Sequence, residues 1–324
     1  MKKNIAVIAG GYTGEADISL QGAENIIKYL DTEKYIPYLI NIDKKNWFYL
    51  NKEEKIFIDK NDFSLNIKKK KIKFHCVFNI IHGAPGEDGK IQGYFDMLGI
   101  PYISSGLLSS AITFNKYFTT IIAANFKIST PKTVLIRKNE KIDTKAIIKK
   151  LSLPCFIKPN NSGSSIGMSK IDKENQLTQA INKAFTVDNE VLVQECIVGT
   201  EVTCGVFKNK GIIKTLPITE IISKRKFFDY TAKYKGKSQE ITPAGIDKKA
   251  EKKCREISGF LYKEFNCKGV VRIDYILREN EFYLLEINSV PGMSDASIIP
   301  QQAGYDGISL KELYNILIEE AFLS

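Results

Sequence analysis

VVRIDYILRENEFYLLEINSVPG, residues 270–292, holds two apolar runs on either side of the polar turn Arg278-Glu279-Asn280-Glu281. Runs rich in Val, Ile, Leu, Tyr and Phe around such a turn read as an antiparallel hairpin. The polar residues within the runs are unusual. Side chains alternate along a strand, so Arg272 and Asp274 share one face of the first strand, and Glu286 and Asn288 share one face of the second. A pairing centred near Asn280 sets Asp274 opposite Glu286 and Arg272 opposite Asn288, whereas a slip by one residue would destroy that arrangement. Charges in strands this apolar cost several kcal/mol unless paired or bound to metal. Two readings follow: a structural arginine–carboxylate pair, or a divalent-metal site of hard oxygen donors with an arginine beside it.

The chain has 324 residues, more than one hydrophobic core usually spans, so two or three domains are expected. Its 44% hydrophobic and 26% charged content is that of an ordinary water-soluble globular protein. The net charge of +10 would suit an anionic partner. The excess is lysine scattered along the chain, with small clusters at Lys68–Lys71 and Lys248–Lys253, which fits a solvated surface. No nucleic-acid-binding motif accompanies it. The six cysteines lack CxxC spacing, and with only two histidines a Cys/His zinc site is disfavoured. Reduced thiols and a cytoplasmic location are expected. MKKNIAVIAGG has an apolar stretch too short for a signal peptide, and no run reaches transmembrane length, so no membrane association is expected.

Along the chain, Asn4–Ala9 is a strand; Ser19 precedes the helical pattern LQGAENIIKYL; Tyr35–Ile42 and Cys76–Ile81 are further strands, a parallel βαβ arrangement. Ala9-x-Gly11-x-x-Gly14 only partly matches a dinucleotide fingerprint, and no acid follows about twenty residues on. Glu15 lies just past that glycine turn, at the carboxyl end of the sheet, where open α/β sheets bind ligands. HGAPGEDGKIQG, residues 82–93, has four glycines in twelve residues, which demands special backbone angles or close approach. SSAITFNKYFTTIIAAN reads as one amphipathic helix carrying Lys116. Strands at Lys132–Ile136, Pro154–Lys158 and Gly167–Ile171 bracket the loop Lys158-Pro159-Asn160-Asn161-Ser162-Gly163-Ser164-Ser165-Ile166-Gly167. One lysine, several hydroxyls and free backbone amides suit a polyphosphate, although no GxxxxGK[ST] motif is present. A plain flexible loop is the alternative. Val191–Glu195 is another strand, followed six residues later by Glu201. Residues 223–245 are long, polar and aromatic-studded, too irregular for an element, and read as a lid or binding loop. A helix over EKKCREISGFLYKEF and a closing helix from Ser309 complete the reading.

The Lys158 loop, Glu195 with Glu201, the set Asp274, Glu286 and Asn288, and the tail Asn288-Ser289-Val290-Pro291-Gly292-Met293 together resemble the ATP-grasp carboxylate–amine ligases. GGYTGEADISL, HGAPGEDGKIQG, FFDYTAKY and the spacing to Ser297 narrow the resemblance to the D-alanine–D-alanine ligases, and it covers nearly the whole chain. The resemblance implies an α/β (α+β ATP-grasp) fold. Its parts would be an N-terminal parallel βαβ domain at 1–103, a central ATP-grasp domain at 104–188 and a C-terminal ATP-grasp domain at 189–324, the last two sandwiching the nucleotide.

It also implies roles. Asp274, Glu286 and Asn288 would hold two Mg²⁺ ions, with Mn²⁺ as a substitute. Lys116, Lys158, Ser164, Ser165, Glu195, Cys196, Val198, Glu201 and Lys233 would contact ATP. Glu15 would hold the ammonium of the first D-alanine, His82 would lie near it, and Ser164 and Tyr234 would join Glu15 in a set that ties the loops shut. Arg272 and the Gly292 amide would form the oxyanion site, with Lys233 meeting the transferred phosphate. Ser297 would meet the carboxylate of the second D-alanine, with Ile298 beside it. The implied reaction makes D-alanyl-D-alanine for peptidoglycan precursors through an acyl phosphate, in a homodimer that engages no nucleic acid. Asn160-Asn161-Ser162 departs from the charged residue many relatives carry, and Ile298 from a frequent leucine. Ligases that use D-lactate or D-serine as acceptor are the neighbouring alternatives, and Tyr234 argues against the lactate type.

Overall fold

The computed structural model describes residues 2–52, 54–223 and 238–323. The first unit grows from β1 (Lys3–Gly10), α1 (Ala16–Tyr29) and β2 (Tyr35–Ile42), the expected parallel βαβ arrangement. β3 (Trp47–Asn51) and β4 (Glu54–Phe57) extend the sheet antiparallel on one side, and β5 (Leu65–Ile67) with β6 (Lys70–Ile72) forms a separate small ribbon. β7 (Cys76–Asn79) and β8 (Tyr102–Ile103), joined through α2 (Lys90–Leu98), complete the order β4-β3-β2-β1-β7-β8. β1 is central and covered on both faces, which is why six of its eight residues are buried and apolar pattern gives way to a continuous apolar run.

Ser19 does not precede α1. The helix starts three residues earlier with Glu15 at its N-cap, and Ser19 lies inside it. The hydroxyl serves a tertiary bridge instead, accepting from Gly10 N at 3.0 Å and donating to Ile80 O at 2.8 Å. Glu15 thereby stands at the positive end of the helix, beside the glycine turn that ends β1.

The helical stretch over residues 109–125 is two helices, α3 (Leu107–Phe114) and α4 (Lys116–Asn125). They part at Asn115, whose side chain accepts from Phe118 N and caps the second helix. The break places Lys116 at the head of α4. The central sheet is antiparallel, β11-β10-β12-β9, from β9 (Thr133–Arg137), α5 (Thr144–Leu151), β10 (Cys155–Pro159), β11 (Ser169–Ile171), α6 (Leu177–Ala184) and β12 (Glu190–Glu195). On β10, Cys155 and Ile157 enter the core beneath α5 and α6, so Phe156 and Lys158 face the other way. β12 lies between β10 and β9, so a domain boundary at 188/189 would cut a strand from its own sheet. α3 and α4 likewise pack against the last unit rather than the central one.

The last sheet comprises β13 (Thr200–Asn209), β14 (Ile212–Thr215), β15 (Thr219–Ser223), β16 (Ser238–Ile241), β17 (Val271–Arg278) and β18 (Glu281–Asn288). Its order is β16-β15-β13-β17-β18, with β14 also on β13. The stretch 223–245 therefore contains an element after all, since β16 pairs with β15; residues 224–237 lie outside the described residues. α7 (Lys248–Glu264) covers one face through Ala250, Cys254, Leu261 and Tyr262. α8 (Ile298–Tyr305) and α9 (Leu310–Ala321) follow, and α9 returns to pack on the first sheet through Leu313, Tyr314, Leu317 and Ile318.

The β17–β18 hairpin sets Asp274 opposite Glu286 and Arg272 opposite Asn288, as expected. How it does so was not legible in the alternation. From the turn, where Glu279 and Asn280 both have positive φ, Arg278 pairs with Glu281 and the register runs regularly to Tyr275–Leu284. Continued, it would put Asp274 against Leu285 and turn Glu286 to the opposite face. A bulge between Asp274 and Tyr275 inserts Leu285 as an extra residue, and the face changes there.

β13 also changes partner midway, from β15 at Glu201–Thr203 to β14 at Val206–Asn209. The gap is closed by the fully buried Gln302 of α8. Its amide donates to Thr203 O and Thr219 Oγ1, both at 3.0 Å, and accepts from Gly205 N at 3.0 Å. Gln302→Ala strands two buried backbone groups, and we expect a loss of about 3 kcal/mol in urea unfolding. A loss below a few tenths would show that the gap is closed otherwise.

Candidate active site

A cavity of about 550 Å³ opens between the central and last sheets. Arg272, Asp274 and Ile276 of β17 form its floor together with Leu285 and Glu286, the two consecutive residues that the bulge turns toward it. Phe156 and Lys158 of β10 and Gln194 of β12 face it from the central sheet. The connection Cys196–Gly199 closes one end, with Glu201 below.

Asp274 accepts four hydrogen bonds. Arg272 donates to it twice, Nε to Oδ1 at 2.9 Å and Nη2 to Oδ2 at 2.7 Å. Thr203 Oγ1 donates at 2.5 Å and Asn288 Nδ2 at 3.0 Å. Both charged side chains are about nine-tenths buried, at 10% and 8% exposure, so this is a desolvated ion pair that needs all four bonds. Of the two readings open for the hairpin, the arginine–carboxylate pair is therefore realised, within a set of hard oxygen donors. Among the described residues, no three His, Cys, Asp or Glu side chains converge. Asp274, Glu286 and Asn288 offer two carboxylates and an amide, a donor set that leaves further positions of an oxygen-preferring cation to phosphate and water, as Mg²⁺ prefers.

Above the floor, Lys116 reaches Ser162 O at 2.6 Å and Glu286 at 3.4 Å. Lys158 donates to Gln194 Oε1 at 2.9 Å, and burial lowers its pKa while Glu286 and Glu201 oppose that shift. Two ammonium groups thus converge above the carboxylates, where a polyphosphate with its counter-cations would be neutralised. Glu201 is raised to about 7, first by burial and then by Asp274. Glu195 lines the cavity together with the neighbouring Cys196 and Val198, while its carboxylate accepts from Lys132 N at 2.7 Å and ties the end of β12 to the preceding segment.

A second cluster adjoins the first. Glu15, 6% exposed, accepts a hydrogen bond from Ser164 Oγ, which joins the first unit to the Gly/Ser loop. Ser164 and Ser165 both adopt positive φ, and a Cβ on Gly163 would come within 3.0 Å of Glu15 Oε2, so the loop approaches the carboxylate by backbone. His82 Nδ1 lies 3.0 Å from Val290 O. Gly292 stands against Ser297, whose Oγ would be 2.8 Å from an added Cβ. Ser297 Oγ turns back to Ser294 rather than capping α8, and Ile298 lines the cavity. Lys233 and Tyr234 lie outside the described residues.

Two family models match this chain: D-ala D-ala ligase N-terminus over residues 4–105 and D-ala D-ala ligase C-terminus over residues 122–319. The chain belongs to the D-alanine–D-alanine ligase family. It is 46% identical over 318 residues to the D-alanine–D-alanine ligase of Flavobacterium johnsoniae, with 98% of each chain covered. Among solved structures, it resembles the VanG D-Ala:D-Ser ligase from Enterococcus faecalis, with a TM-score of 0.89, 32% identity and 99% and 100% of the two chains covered. It also resembles the D-alanine–D-alanine ligase of Bacillus anthracis complexed with ATP, with a TM-score of 0.78, 27% identity and 99% and 97% covered. The architecture is that of the ATP-grasp ligases, and no described helix is long and apolar enough to cross a membrane.

Sequence reading missed several residues of this ligase site. Thr203 and Gln194 are ordinary strand residues until the sheet registers set them against Asp274 and Lys158. Glu87 sits within the glycine-rich stretch 82–93, where the family resemblance implies no role for it. Its carboxylate accepts from Gly83 N at 2.6 Å, and its pKa is pushed to about 7 by burial, with Glu15 and Glu286 adding to the rise. A carboxyl whose folded-state pKa lies above its ordinary 4.5 stabilises the fold fully below that value and loses the contribution as pH rises through about 7. Glu87→Gln should therefore melt with a shallower loss of Tm between pH 5 and pH 8 than the parent. Parallel Tm–pH curves for the two proteins would refute this.

Proposed function

We propose that this chain ligates two molecules of D-alanine to D-alanyl-D-alanine, converting ATP to ADP and phosphate. The observation that carries the reading is the joining of two clusters: paired lysines over a carboxylate floor, and, linked through Ser164, the Glu15 pocket. A carboxylate is a poor electrophile. In the first step a carboxylate oxygen of D-alanine takes the γ-phosphoryl group, ADP leaves, and D-alanyl phosphate forms. Lys116 and Lys158 balance the negative charge gathered there, and Glu15 orients the substrate through its ammonium group. Two Mg²⁺ ions, or Mn²⁺, held by Asp274, Glu286 and Asn288 would supply Lewis-acid stabilisation of the phosphate oxygens.

In the second step the amine of the other D-alanine attacks the acyl carbon. The tetrahedral oxyanion collapses, phosphate leaves, and the amine gives up a proton. Arg272 and the Gly292 amide are the donors for that oxyanion, and losing one such donor typically costs about 3–4 kcal/mol. Ser297 receives the acceptor's carboxylate, beside Ile298. Acyl phosphates hydrolyse, so the site must exclude water, and the family resemblance assigns Lys233 to the phosphate and Tyr234 to the set with Glu15 and Ser164. The family further supports a homodimer and a role in peptidoglycan precursor synthesis. Six free thiols agree with a cytoplasmic site of action.

The deciding measurement is phosphate release from ATP with D-alanine, compared with L-alanine and with D-serine or D-lactate as acceptor. We expect release and dipeptide with D-alanine; its absence would overturn the assignment, and preferential use of D-serine would move it to the acceptor type of the Enterococcus neighbour. Glu286→Gln, or removal of divalent cations with EDTA, should lower turnover by about 10²–10³-fold. Near-normal turnover in either case would remove the metal site from the mechanism. For Tyr234→Phe we expect a raised KM for D-alanine, and unchanged kinetics would take Tyr234 out of the closing set.

A further inference from the structure

The strap between β18 and α8, residues 289–297, carries the Gly292 amide yet belongs to neither a strand nor a helix. Among the described residues, its backbone-to-backbone hydrogen bonds outside the regular elements are two, both at its C-terminal end: Ser297 N to Ser294 O at 2.8 Å and Gln301 N to Ser297 O at 3.2 Å. Side chains from distant parts of the chain fix it instead. His82 Nδ1 meets Val290 O at 3.0 Å, two residues before Gly292. Asn25 Nδ2 donates to Met293 O at 2.7 Å, one residue after it. Tyr314 OH also donates to Met293 O, at 3.4 Å. Val290 and Met293 are buried in the core shared by α1, β1 and α9, which presses the strap onto the first sheet.

We propose that Asn25 is a positioning residue for acyl transfer: by clamping Met293 O from α1, it aims the Gly292 amide at the oxyanion. This rests on the reading of Gly292 given above. Asn25 occupies the buried face of α1, where helical periodicity places apolar side chains, and asparagine is a weaker helix former than the alanine or leucine that would fill such a site. A buried side-chain amide there is accounted for by its bond to the strap. Gly292 lies between anchored carbonyls at 290 and 293, so the direction of its N–H follows from both clamps. Loosening one lets the donor drift by a fraction of an ångström to about an ångström, a displacement that costs up to ~10²-fold in rate.

The test uses the full-length enzyme with Asn25→Ala and with Asn25→Asp, which keeps the shape of the side chain and removes the donor. We expect kcat for dipeptide formation to fall ten- to a hundredfold in both, with KM for ATP unchanged. Affinity for a phosphinate dipeptide, a tetrahedral mimic bound in the presence of ATP, should fall by the same factor. Asn25→Gln, which restores a donor, should recover part of the loss. Unchanged kcat would overturn the proposal. So would a loss shared equally by ATP affinity, or failure of both donor-free variants to fold, since either would make the bond merely structural. A parent enzyme without D-alanine-dependent phosphate release would instead refute the proposed function, so the two failures are told apart.

Discussion

The buried pairing of Arg272 with Asp274 constrains most of what surrounds it. Two charges in the middle of an apolar strand are tolerated only when their remaining donors and acceptors are satisfied, and here that takes Thr203 from β13 and Asn288 from β18. The registers of three strands are thereby coupled to one carboxylate: β13 must bring Thr203 level with Asp274, and β18 must bring Asn288 within reach. The same carboxylate is the donor expected to bind a cation. A cation there would compete with the guanidinium for the oxygens of Asp274, and the guanidinium would then have donors to offer to a substrate oxygen. The ion pair and the metal site need not be rival accounts. On the proposed reading, the pair would keep both groups in place and desolvated until a ligand divides them.

The bulge at Leu285 belongs to the same logic. A regular hairpin from the Glu279-Asn280 turn would alternate Glu286 away from Asp274, and its two carboxylates would point to opposite sides of the sheet. One extra residue corrects the phase and turns two neighbours, Leu285 and Glu286, into the cavity at once. An apolar contact and a charged donor are thus placed side by side, which strict alternation forbids.

What sequence alone conveyed follows the range of the interactions. β2 was bounded at Tyr35–Ile42 because a short apolar run between polar stretches carries its own limits. The hairpin partners, the Lys158 loop and the helix before the hairpin were legible for the same reason, being set by neighbours in the chain. Ser19 was misread because its hydroxyl is used by Gly10 and Ile80, the latter sixty-one residues away, and a serine before an apolar pattern looks like a cap. Asn115 was passed over because α3 and α4 share one amphipathic pattern across the break. Gln302, Thr203 and Asn25 carry no local signal. Each is a polar residue whose partner is fixed only when strands or helices about seventy to two hundred and seventy residues apart meet. The domain limits failed at β12 for a related reason, since nothing within Glu190–Glu195 tells which sheet it will join.

Those long-range bonds also decide where the chemistry can occur. On the proposed reading, and among the described residues, the site is divided: the first unit contributes Glu15 and side chains that clamp Val290 and Met293, the central one the Gly/Ser loop and Lys158, the last the carboxylate floor. A reaction that makes a water-sensitive acyl phosphate gains from such a division, because the parts come into register only when the units are packed together and water is displaced between them. The bond from Ser164 to Glu15 already links two of the three units. On the proposed reading, the anchoring of the Gly292 strap to α1 would have the donor for the second step aligned by the same unit that holds the substrate of the first.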